Sequence, residues 1–158
     1  MDAQTIFRTF NEHGVEYLVV GLSAAWMHGV DEKLGCIDIC YHQQWHNCEC
    51  LNRALDELDA RLVPPPPTPM PLTSLLRRQQ EEAVLQSPAG HVSLVAELRG
   101  MGTYEDLSPD AVTLRHEGER VPTLSIDQLD NWLRLACKTG DTGPLHILLS
   151  LERLQWTT

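Results

Sequence analysis

The sequence predicts an α/β (α+β) chain, in which a mixed β-sheet carries packed helices and ends in a C-terminal helical tail. Three observations predict it. Short β-branched and aromatic runs alternate with segments of helical apolar spacing through the first third of the chain. Two later pairs of apolar runs are joined by turn residues, as in hairpins. Beyond them the spacing becomes helical again, behind a capping motif.

Taken in order, Ile6, Phe7 and Phe10 form the apolar stripe of a first helix, which His13-Gly14 stops, with His13 facing solvent at its end. Val15 to Val20 is a buried strand broken by Gly21. Ser23 to His28 is a short helix closed by Gly29, with Ser23 as its cap. Leu34 to Tyr41 is a second strand, with Ile37, Ile39 and Tyr41 on one face and Cys36, Asp38, Cys40 and His42 on the other. Trp45, Cys48, Leu51, Leu55 and Leu58 recur at three- and four-residue spacing and predict a helix from about Gln44 to Arg61.

Residues 62–73 are rich in proline and read as a stiff connector inside one domain spanning residues 1–158. A proline run can also bind an SH3-like partner, but a rigid surface loop is its commoner use. Glu82 to Ser87 and His91 to Leu98 predict a hairpin across Pro88-Ala89-Gly90, and Val112 to Leu124 a second across Glu117-Gly118. Ser125 and Gln128 form a capping box before a helix carrying Leu129, Trp132, Leu133 and Ala136. A last helix holds Leu145, Leu148, Leu149 and Leu151. Trp26, Trp45 and Trp132 fall on core positions, and Trp156 is placed to meet a partner.

Composition bounds the function. With 158 residues, 42% hydrophobic and 22% charged, the chain can build a core without a disulfide or metal staple. Its net charge of −10 repels phosphate backbones, which disfavours extended nucleic-acid binding. The N-terminal residues read as no signal peptide, and no apolar run reaches the ~18 residues of a membrane span. The five cysteines are therefore expected as reduced thiols in a cytoplasmic protein.

The stretch Tyr17-Leu18-Val19-Val20-Gly21-Leu22-Ser23-Ala24-Ala25-Trp26-Met27-His28-Gly29-Val30, followed by Cys36-Ile37-Asp38-Ile39, resembles the nucleotidyltransferase superfamily of the DNA-polymerase-β-like fold. Its closest flavour is the small abortive-infection (AbiEii) type. The resemblance extends in order through Val92 to Leu107, with Arg99-Gly100-Met101-Gly102-Thr103-Tyr104-Glu105, and into the helix after Leu124-Ser125. It implies a nucleotidyltransferase-like sheet in which a Gly-Gly or Gly-Ser turn holds a nucleoside triphosphate. It also implies an Asp-x-Asp pair and a third carboxylate that fix two magnesium ions for phosphoryl transfer.

Against that pattern, Gly21 is kept while Leu22 takes the next place and Ser23 comes one residue late. Cys36 stands at the first carboxylate position, Asp38 at the second and Ser93 at the third. Glu32 stands where a basic residue is usual, and Gly140-Asp141-Thr142-Gly143-Pro144 lacks the expected cation before the last helix. One carboxylate cannot organise two magnesium ions, which demand hard oxygen ligands. The resemblance thus implies a fold with vestigial Asp38 chemistry and a nucleotide contact confined to Gly21 and Ser23.

The residues offer two other chemistries. Cys36, Cys40 and His42, with Asp38, offer zinc ligands ~7 Å apart along one strand face. Their spacing matches no zinc signature, and Cys48 and Cys50 point ~200° apart on a helix, so packed or idle thiols are the default. Cys36 could also be a nucleophile with His28 or His42 as base, with Lys33 the one nearby lysine to lower its pKa. The expectation is a non-catalytic protein that binds a protein partner or itself, without a cofactor, a toxin-antitoxin or defence subunit being suggested by analogy of fold alone. The alternative is a residual magnesium-dependent enzyme moving a nucleoside monophosphate onto a protein or RNA hydroxyl.

Overall fold

The computed structural model describes residues 1–68, 72–78, 82–138, 140 and 145–157. Helix α1, Ala3–Glu12, begins where the Asp2 carboxylate accepts the Thr5 amide at 3.1 Å. It buries Ile6, Phe7 and Phe10 completely, and each such side chain contributes roughly 1.5–3 kcal/mol relative to exposure. Gly14, at φ +67°, turns the chain into strand β1, Tyr17–Val19. Helix α2, Gly21–Met27, and strand β2, Cys36–Tyr41, follow.

Helix α3 spans Trp45–Glu57, shorter than its apolar spacing predicts. Leu58 caps it, Asp59 takes φ 53°, and Arg61 instead enters strand β3, Arg61–Leu62. The tight turn at Asp59 overrides a pattern that could have run on. Trp45 is 47% exposed rather than core, and the Arg77 guanidinium lies 4.7 Å from its ring. Trp26 and Trp132 pack partly buried against the core, as expected. The proline run includes a cis Val63–Pro64 bond and leads to helix α4, Leu72–Arg78, which overlaps the end of the expected connector.

Strands β4, Ala83–Ser87, and β5, Gly90–Val95, form the first hairpin. The second run is interrupted at Ala96, and Glu97–Leu98 becomes β6, paired with β7, Gly102–Thr103, in a separate two-stranded ribbon. One turn of helix, α5, Tyr104–Leu107, and a 3₁₀ turn lead to the second hairpin, β8, Val112–His116, and β9, Glu119–Thr123. Ser125 and Gln128 cap each other reciprocally at 2.9 and 3.1 Å, starting α6, Ile126–Lys138. Helix α7, Leu145–Thr157, buries Ile147, Leu148 and Leu151 but leaves Leu149 48% exposed. The Asp141–Pro144 segment and the Trp156 side chain lie outside the described residues.

The seven-stranded sheet has the order β3-β4-β5-β2-β1-β9-β8. β2 runs parallel to β5 and β1 parallel to β9, while the other neighbours are antiparallel, so the sheet is mixed. β3 and β4, from either side of the proline run, pair in this same sheet. Ile37, Ile39 and Tyr41 are completely buried on one face of β2, and the Tyr41 hydroxyl donates to the Leu76 carbonyl of α4 at 2.7 Å. Cys36 and Asp38 on the other face are only partly covered. No helix among the described residues is long and apolar enough to cross a membrane.

Candidate active site

The site is built at the junction of β1, α2 and β2. Val20 is extended, and Gly21 takes φ +60° to start α2 without a side-chain cap. A Cβ at Gly21 would lie 3.1 Å from Asp38 Oδ2, so glycine both permits the turn and lets the carboxylate close against the backbone. Ser23 is not the cap its position suggests. It is completely buried, its hydroxyl donates to the Cys36 carbonyl at 3.2 Å, and it accepts the Asp38 amide at 2.9 Å. These bonds tie α2 to the edge of β2.

The β2–β5 register puts Asp38 opposite Ser93, and β4 puts Val84 opposite Ser93. Residue 82 therefore returns to the same face two positions from Val84. The Ser93 hydroxyl donates to Glu82. Cys36, Asp38, Ser93 and Glu82 thus share one face. Glu82 entered the sequence argument only as the start of a hairpin. A turn of three residues at Pro88-Ala89-Gly90 would pair Ser87 with His91 and turn Glu82 to the other face; the structure instead pairs Ser87 with Gly90 across Pro88-Ala89, and that register brings Glu82 here.

The electrostatics of this face favour neutral forms. Burial, then the neighbouring Glu82 charge, pushes the Asp38 carboxyl up to about 6, against the hydrogen bonds from Ser23. Burial, with Asp38 and Glu82, pushes the Cys36 thiol up to about 12. With its pKa raised this far, Cys36 at neutral pH is a thiol and a poor nucleophile. His28 Nε2 sits 2.7 Å from the Leu124 carbonyl and His42 is held by carboxylates, so the two bases considered for Cys36 are engaged elsewhere. Leu22, 36% exposed, stands beside Gly21 as an apolar group.

The candidate zinc ligands are spread out. Cys40 is completely buried with its thiol directed to the Ala96 carbonyl at 3.8 Å, and burial, then Glu97, pushes it up to about 12. β2 ends at Tyr41, so His42 leaves the strand face on which the sequence placed it. Cys48 reaches the Gln43 carbonyl at 3.5 Å, and Cys50 the His46 ring at 3.7 Å. Among the described residues no group of three His, Cys, Asp or Glu side chains is arranged to hold a metal ion. The face presents the partly covered Asp38 carboxyl, the Cys36 thiol and a Ser93 hydroxyl that donates to the Glu82 carboxylate, a donor set with fewer hard oxygen ligands than the three carboxylates the resemblance implies for two magnesium ions.

No family model matches the chain, and no curated protein does. Solved structures do. A Thermotoga maritima protein provisionally assigned as a nucleotidyltransferase superposes with a TM-score of 0.58 at 15% identity, over 87% of this chain and 84% of that one. The antibiotic-resistance factor ANT(2'')-Ia, in solution, gives 0.60 at 12% identity over 99% of this chain and 92% of its own. The crystal structure of ANT(2'')-Ia with adenylyl-2''-tobramycin gives 0.60 at 11% identity over 97% and 90%. The Gly21 turn, the Asp38 strand and the strand bearing Ser93 therefore lie within a shared architecture: the chain has the nucleotidyltransferase fold.

Proposed function

We propose that this chain is a nucleotidyltransferase-fold protein without transfer activity, which binds a protein partner or a second copy of itself. The composition of the Asp38 face supports this reading most directly. Of the three places where the resemblance implies carboxylates, one holds a carboxyl, one a protonated thiol and one a hydroxyl. The charge acting on Asp38 is the carboxylate of Glu82, which opposes rather than offsets a triphosphate.

Glu82 also favours a second reading. It brings another carboxylate to the Asp38 face, from the strand beside the expected one, as a residual nucleotidyltransferase would need. Isothermal titration with each nucleoside triphosphate and magnesium separates the two. Non-catalytic function predicts nothing tighter than roughly millimolar, about −4 kcal/mol. A micromolar constant, or transfer of labelled nucleotide to a protein or RNA acceptor that Asp38→Ala abolishes, would establish the enzyme instead.

A further inference from the structure

The opposite end of β2 carries a cluster that this reading leaves unused. His42 Nδ1 lies 2.7 Å from Glu16 Oε2, and its Nε2 lies 2.7 Å from Glu105 Oε1. Ionised carboxylates only accept hydrogen bonds, and a neutral imidazole has a single N–H. Both contacts are therefore hydrogen bonds only when the ring is an imidazolium. Tyr104 stacks on the same ring, with centroids 5.1 Å apart and planes 22° from parallel, an arrangement that also favours the cation.

The two carboxylates belong to different parts of the fold. Glu16 precedes β1 and is held firmly. The buried Asn47 of α3 donates to the Glu16 and His42 carbonyls at 2.9 and 2.7 Å and accepts the Glu16 amide at 2.6 Å. Glu105 belongs to α5, a single turn whose own capping box joins Thr103 to Asp106. Behind it, the Leu107 carbonyl accepts from Gln128 of α6 at 2.9 Å. His42, Tyr104 and Glu105 also form part of the lining of a pocket of about 270 Å³, together with Gln43 and Gln44.

We propose that His42 is a pH-sensitive pin: as imidazolium it latches the Thr103–Leu107 segment onto the end of β2, and its deprotonation frees that segment and opens the adjoining pocket. The titratable groups facing it are Glu16 from the α1–β1 connection and Glu105 and Tyr104 from α5. Cys40 of β2 acts on Tyr104, and Glu97 of β6 acts on Cys40. α3 contributes the neutral Asn47 amide. Burial lowers the imidazole pKa, but Glu105 and Glu16 outweigh it and leave the value above its ordinary 6.5. A raised histidine pKa means the latch is closed below about 6.5 and opens as pH climbs through the folded-state value. Glu16 and Glu105 are 54% and 74% exposed, so the bias is modest and screened by salt.

The test follows the His42 ring by NMR and measures amide-exchange protection factors, which remove the intrinsic pH dependence of exchange. Between pH 5.5 and 8.5 the amides of Tyr104 to Leu107 should lose about threefold to tenfold protection relative to α3, in step with the imidazole. His42→Gln should abolish that pH dependence while leaving α3 protected. Glu105→Gln, which keeps the ring and removes the mobile partner, should lower the His42 pKa and flatten the profile. An imidazole titrating at or below 6.5, unchanged protection at α5, or the same profile in Glu105→Gln would each overturn the latch.

Discussion

The two ends of β2 solve opposite electrostatic problems within six residues. At the start, Asp38 is a partly buried carboxyl facing another carboxylate, and its pKa is pushed up to about 6. Just past the end, His42 meets two carboxylates of opposite sign when protonated. The first end holds a charge the fold does not neutralise, and the second holds one it neutralises twice. A partly covered charge that faces another carboxylate works against stability, so the Asp38 end is the less stable of the two at neutral pH. The His42 end is a structural joint.

The largest effect expected from this contrast is at Asp38. A carboxyl whose folded pKa lies above its unfolded value stabilises the fold below about 3.8 and loses that contribution as pH rises through about 6. Asp38→Asn removes the ionised form and should raise stability at pH 7.5 by up to about 3 kcal/mol, from about 1.4 kcal/mol per pKa unit. The gain should shrink toward zero at pH 4. Urea midpoints at the two pH values check it, and a destabilised variant at pH 7.5 would place a compensating cation at Asp38.

At the other end the corresponding break is Asn47→Ala. This buried amide makes three hydrogen bonds across the α1–β1 connection and the start of α3. Its loss leaves buried peptide groups without partners and should cost about 2 kcal/mol. Thermal unfolding would show it, together with a fall in the His42 pKa as Glu16 loosens. A stable variant with an unchanged imidazole would mean the joint does not depend on this amide.

Next comes Gly21→Ala, which returns to the first end. Alanine at φ +60° costs roughly 1–2 kcal/mol, and its Cβ would press on the Asp38 carboxylate 3.1 Å away. Only the contact part should be recovered when Asp38→Ala is added, because backbone strain stays. A double variant that recovers nothing would show that the strain, not the close approach, keeps glycine here.

Much of the fold was legible because it follows from local rules. The Phe7 stripe, the Gly14 stop, both hairpins and the Ser125–Gln128 box each depend on a few neighbouring residues. The places that diverged depend on distant partners. Arg61 joins a strand because β4 is there to pair with it, and Trp45 lies exposed under Arg77 of a helix that the proline run conceals. Within the site, the resemblance put Asp38 and Ser93 at carboxylate positions, whereas their pairing and the arrival of Glu82 depend on strand registers set by distant residues. Ser23 reads as a cap by type and position, yet its hydroxyl serves β2, a choice set by how closely α2 approaches the strand.

The smallest effect tests whether the two ends act independently. Both titrations lower stability as pH rises, but in separate windows: about 3.8 to 6 for Asp38, and above 6.5 for His42, whose pKa is raised. In Asp38→Asn the first window should vanish and the second remain, within about 1 kcal/mol because both partner carboxylates are largely exposed. Adding His42→Gln should then leave stability nearly flat from pH 5 to 8.5, and high salt should flatten Asp38→Asn alone in the same way. If the two substitutions are independent, their effects at any pH should add within about 0.5 kcal/mol, since no hydrogen-bond partner is shared between the two ends among the contacts described above. A larger departure measured by urea unfolding would mean that β2 transmits charge between its ends, and the contrast drawn between them would fail.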